Sequence, residues 1–99
     1  MNQETFDSLA QIWQNDFHIQ MSSKAGKVLE HPAFQRIIDE GPSVVPLIFK
    51  ALEKEYDHAW PMALFILIGS SPVKLENRGR IAEIRKDWLA WGRQNGYLK

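Results

Sequence analysis

Ninety-nine residues, 44% of them apolar and 24% charged, with a formal net charge of zero, read as one globular domain with a modest core rather than a disordered tail. Neutrality argues against a dedicated nucleic-acid binder, and the absence of cysteine removes disulfides, thiolate nucleophiles and thiolate metal sites. The acidic, polar start and a longest apolar run of only Pro61 to Ile68, far below the roughly 20 residues that span a bilayer, lead us to expect a cytoplasmic protein with no membrane segment.

Phe6, Leu9, Ala10, Trp13 and Phe17 recur at spacings of three and four, which predicts a helix over 3–16 with Ile12 beside the inward face. Asn2 is its candidate cap, because its side chain can accept from an unpaired amide of the first turn. The alternation over 17–21 suggests a short extended stretch. Ser22 or Ser23 then caps an optional short helix near 23–29. His31-Pro32 marks a restart, since proline loses nothing in a first turn, and Phe34, Ile37 and Ile38 form the inward stripe of a helix over 32–40.

Gly41 ends that helix and Pro42 opens the next, predicted over 43–55 with Val44, Val45, Leu47, Ile48, Ala51 and Leu52 as a broad apolar stripe. After a polar turn, Trp60 to Ile68 is apolar nearly all round. Pro61 at its start, good helix formers within it and Gly69 after it favour a central helix over a buried strand. Ser70 to Val73 is a loop. A last helix is predicted over 77–94, with Ile81, Ile84, Trp88 and Trp91 on one face, Leu89 adjoining, and Tyr97 and Leu98 folding back on the bundle. Gly79 and Gly92 weaken its two ends by about 1 kcal/mol each relative to alanine, and Gly92 is a candidate for close approach of a neighbour. The expected fold is all-α: a compact bundle of about five helices, with Trp13 and Trp88 in the core.

The run Gly41-Pro42-Ser43-Val44-Val45-Pro46-Leu47-Ile48, followed by Trp60 to Gly69, resembles the HEAT-type motif. There a glycine precedes a Val-Pro-Leu-Leu helix and the next helix carries Ala-Leu and ends in Ile-Gly. The resemblance covers about a third of the chain and implies antiparallel helical hairpins, with the Trp13 and Trp88 helices as caps in place of further repeats. His31 to Gly41, Trp88-Leu89-Ala90-Trp91-Gly92 and Gly96-Tyr97-Leu98 also resemble a group of small uncharacterised bacterial proteins. In that group a His-Pro-Ala-aromatic segment, a Val-Pro turn, an Ile-x-Gly-x-x-Pro loop and a Trp-x-x-Trp-Gly end recur in order. This second likeness spans about residues 31–98 and implies a shared fold without a mechanism.

Chemistry is sparse. His18, His31 and His58 form no metal-binding spacing, and His31 and His58 read as boundary residues making local hydrogen bonds. Ser22-Ser23 and Ser70-Ser71 lack a nucleophile elbow, and Gly69-Ser70-Ser71-Pro72 lacks the spacing and lysine of a phosphate loop. Glu83 and Asp87 can share a helical face, but Arg85 and Lys86 adjoin them as on a solvated surface. We therefore expect no enzyme, no catalytic residue, no metal and no cofactor.

Charge is uneven: residues 1–40 carry six acids and three bases, residues 71–99 seven bases and three acids. Arg78, Arg85 and Lys86 are candidate phosphate contacts on the last helix, against the plainer reading of a solvated face balancing the acidic half. The leading expectation is a protein interface, either with another protein or in a homodimer. Trp60, Phe65 and Ile66 of the apolar helix are its candidate anchors.

Overall fold

The computed structural model of the chain describes residues 1–16, 25–77 and 79–98, and among these it contains five α-helices and no strand. They are α1 (Gln3–Gln14), α2 (Pro32–Asp39), α3 (Val45–Lys54), α4 (Ala59–Ile68) and α5 (Ile81–Gln94), with 3-10 turns at Ala25–Glu30, Gly41–Val44 and Leu75–Asn77. The Cα radius of gyration is 12.9 Å, close to the roughly 13 Å of a compact chain of this length.

Local signals set most boundaries. The Asn2 side chain accepts from Thr5 N–H at 2.8 Å and caps α1. His31 caps α2 in the same manner, its Nδ1 accepting from Ala33 N–H at 3.1 Å, while Pro32 occupies the first turn. Gly69 stops α4 in the left-handed region, φ 88°, and its N–H returns to the Phe65 carbonyl at 2.8 Å.

Three expectations are corrected. Residues 41–44 form a 3-10 turn, and α3 begins only at Val45, which puts Pro46 in its first turn, where a missing N–H is harmless. The last helix begins at Ile81, because Gly79 sits at φ 81° and separates it from the 3-10 turn at Leu75–Asn77. Gly79 therefore lies outside that helix and does not weaken it. Leu29 lies in a 3-10 turn rather than an α-helix; the predicted extended stretch at 17–21 and the serine caps fall outside the described residues.

Among the described residues one buried cluster joins the five helices, with aromatic rings at its two ends. At one end Trp13 meets Phe34 and Trp60 edge-on at 5.6 and 5.2 Å, and Phe6 stacks on Trp60 at 5.2 Å. That ties α1 to α2 and α4. At the other end Phe49 of α3 packs against Trp88, Trp91 and Tyr97, with Tyr97 stacked at 5.3 Å. The C-terminal residues do fold back: Tyr97 N–H reaches the Gly92 carbonyl at 2.8 Å. Trp13 and Trp88 are both buried, as their spacing predicts.

Candidate interaction surface

Ala59 to Ile68 contains no charged side chain. A helix turns about 100° per residue, so burying Ala59, Trp60, Ala63 and Leu64 leaves the opposite side outside, and here that side is also apolar. Phe65 is 54% exposed and Ile66 48%, large values for residues of these types in the middle of a helix.

Neighbouring elements extend the patch. A groove of about 660 Å³ runs beside α4, walled by Pro61, Met62 and Phe65 on one side and Ile84 and Trp88 of α5 on the other, with Ser71 and Val73 at the loop end. A second hollow of about 250 Å³ lies between Ile66 and α2, lined by Phe34, Gln35, Ile38 and Asp39. Leu29 and Ile66 belong to both, so together the two hollows form one trough crossed by an Ile66 ridge. Ile81, exposed one turn before Ile84, lengthens the apolar area along α5.

Of the three anchors expected from sequence, Phe65 and Ile66 lie on this surface and Trp60 does not. Trp60 is 2% exposed, because its ring fills the space between Phe6 and Trp13. It supports the surface from beneath and is withdrawn as an anchor. Spacing alone missed the contributions of Leu29, Val73 and Ile84, which come from three other segments. It also placed Ile81 on the inward face of the last helix, whereas Ile81 is exposed.

The basic residues divide differently. Arg85 turns inward: its Nε donates to the Leu52 carbonyl at 2.9 Å and its guanidinium also donates to the Glu53 carbonyl, two acceptors that the end of α3 leaves without helical partners. Arg93 lies 3.7 Å from the Glu53 carboxylate. These cations sit at the negative end of the α3 dipole and close α5 onto α3. Lys86 is exposed, and Arg78 falls outside the described residues.

Several other polar groups are engaged locally. Asp87 accepts from Asn77 Nδ2 at 2.9 Å and from Lys74 N–H at 3.3 Å, and chiefly the Asn77 bond holds its carboxyl below the usual carboxylate range. His31 Nε2 lies 3.2 Å from Asp16, and His58 Nδ1 lies 3.3 Å from the Tyr56 hydroxyl. Ser71 Oγ accepts from Val73 N–H within its own loop. Among the described residues no three His, Asp or Glu side chains gather as a metal site, and no helix is long and apolar enough to cross a membrane. His18 and Ser22-Ser23 fall outside the described residues.

Comparison of the chain with family models, curated proteins and solved structures finds no match.

Proposed function

We propose that this chain is a non-enzymatic interaction protein that works through the exposed side of α4, and that a second copy of the same chain is the occupant favoured there. The observation that carries the reading is the exposure of Phe65 and Ile66, side by side, above a trough of aliphatic and aromatic side chains. Large apolar residues that form a contiguous exposed patch mark an association surface, whereas the same residues scattered singly do not. Self-association suits the patch because α4 carries no charge, so a two-fold contact sets apolar surface on apolar surface without opposing like charges.

The reading includes two further proposals: that α3 and α4, joined by the short polar turn 55–58, form a HEAT-like antiparallel hairpin, and that the protein acts in the cytoplasm. A phosphate-binding role for the last helix is the weaker alternative, because Arg85 is committed to the end of α3. The test is light scattering on the purified chain from about 1 µM to about 1 mM, a range that detects even millimolar association. The natural chain gains mass with concentration and a folded Phe65→Glu variant remains monomeric. Mass that stays at one chain throughout contradicts self-association, and association that Phe65→Glu leaves unchanged moves the interface away from α4.

A further inference from the structure

Of the asparagines Asn2, Asn15, Asn77 and Asn95, the last alone precedes a glycine. Asn95 and Gly96 follow the last turn of α5, and both are exposed. Gly96 lies in the left-handed region at φ 84°, and the chain turns back through it. Two backbone bonds close the turn: Tyr97 N–H donates to the Gly92 carbonyl at 2.8 Å and Gly96 N–H to the Arg93 carbonyl at 3.3 Å. The Asn95 side chain adds a third, its Nδ2 donating to the Trp91 carbonyl at 2.8 Å. This clasp over 95–98 delivers Tyr97 to the core, where its ring stacks on Phe49 at 5.3 Å and on Trp91 at 5.8 Å.

We infer that Asn95–Gly96 is a site of spontaneous deamidation, and that the clasp both limits the rate of the reaction and is released by its product. The Gly96 backbone nitrogen attacks Asn95 Cγ. The N–Cγ bond forms, the Cγ–Nδ2 bond breaks, and ammonia leaves with the proton from Gly96, so that a five-membered imide remains. Water then opens the ring at either carbonyl and gives aspartate or isoaspartate. Glycine supplies the nucleophile well because it has no Cβ to obstruct the approach. In the closed clasp both reacting groups are engaged, the carboxamide with Trp91 and the Gly96 N–H with Arg93. Attack therefore proceeds from the opened turn, a fluctuation of a chain end that costs far less than global unfolding. The products then weaken the clasp. Aspartate sets a carboxylate oxygen in place of the Nδ2 donor and adds negative charge at the negative end of α5. Isoaspartate routes the main chain through Cβ and Cγ and lengthens it by a methylene, so the two backbone bonds no longer fit together and Tyr97 leaves Phe49.

The experiment incubates the full chain at mildly alkaline pH, folded and in urea, and follows each asparagine by peptide mapping with mass spectrometry. Asn95 should convert ahead of Asn2, Asn15 and Asn77, to separable aspartate and isoaspartate peptides, and faster in urea than in the folded chain. Tyr97→Ala removes two ring contacts and should raise the folded-state rate about tenfold, the effect of about 1.4 kcal/mol on the opening equilibrium. Asn95→Gln keeps a carboxamide but has to close a larger ring, so it should not convert. Hydrogen exchange reads the second half of the inference: the Tyr97 amide should lose protection in the aged natural chain and keep it in Asn95→Gln aged alongside. Conversion at Asn95 no faster than at the other asparagines overturns the site. A folded rate equal to that in urea, or one that a folded Tyr97→Ala leaves unchanged, overturns control by the clasp. If Tyr97→Ala does not fold, the comparison with urea decides that point. A Tyr97 amide still protected in the isoaspartate form overturns the release.

Discussion

Gly92 of α5 lies against the ring of Phe49 so closely that a Cβ placed on the glycine would be 2.8 Å from Phe49 Cε1 and 2.9 Å from Cδ1. The ring has nowhere to retreat, since Phe49 is fully buried and stacked against Trp91 and Tyr97. This contact lets α5 and α3 approach, and it brings Arg85 within reach of the last carbonyls of α3.

A Gly92→Ala substitution therefore meets two opposed effects. Helix propensity favours alanine by about 1 kcal/mol, and overpacking of a filled core costs about 1–3 kcal/mol. We expect a net loss of about 1 kcal/mol in urea melts. A gain in stability would mean that Phe49 shifts freely.

Trp13 and Trp88 anchor the two aromatic ends of the core. Replacing either with alanine should cost about 3–5 kcal/mol, the range for deleting a large buried aromatic. Losses below about 1 kcal/mol in denaturant melts would contradict their burial, since only surface positions tolerate truncation so well.

Arg85 and Lys86 are neighbours in sequence with different expected effects. Arg85→Met leaves two carbonyls at the end of α3 without their donor and should destabilise the chain by about 1–2 kcal/mol, while Lys86→Met should stay within about 0.5 kcal/mol. Nucleic-acid affinity measured at low and high salt completes the comparison, because phosphate contacts weaken steeply with salt. We expect weak or no binding. Micromolar binding at physiological salt that is lost in an Arg78, Arg85 and Lys86 charge-neutral variant would reverse the ranking of the two functions.

Acid should destabilise the fold through two identifiable carboxylates. Arg36, then the Met1 amine, holds Glu40 below its ordinary range, and Asn77 chiefly does the same for Asp87. Each folded-state pKa is depressed, so the unfolded chain binds more protons and stability rises with pH across this window. The contribution is present at neutral pH, above the unfolded carboxylate range. It is lost as pH falls through that range and on through the lowered folded values. Asp87→Asn keeps an acceptor for Asn77 and removes the titration, so its acid-induced loss should be smaller than that of the natural chain. Equal losses in urea melts at neutral and acidic pH would remove Asp87 from this account.

Residue types and spacing made the helices legible, because Asn2, Pro32, Gly41 and Gly69 each punctuate the chain through their own backbone chemistry. Spacing identified Trp13 and Trp88 as inward, but not Phe49, whose burial depends on the approach of Gly92 from a helix more than thirty residues away. The candidate surface was half legible. An all-apolar helix announces itself in the sequence, but periodicity cannot orient a helix that has no polar face, so it could not separate buried Trp60 from exposed Phe65 and Ile66. The trough is assembled from five segments and the role of Arg85 from two, and neither leaves a local pattern to read.

Nuclear magnetic resonance spectra of the natural chain across a dilution series locate the association as well as detect it. Ile12 on α1 is an internal control, 53% exposed and as apolar as Ile66, but outside the trough. Concentration-dependent shifts are expected at Phe65, Ile66, Val73 and Ile81, with Ile12 unmoved. Spectra that do not change up to about 1 mM, where even a millimolar dimer would be populated, or shifts centred on Ile12 instead, would contradict it.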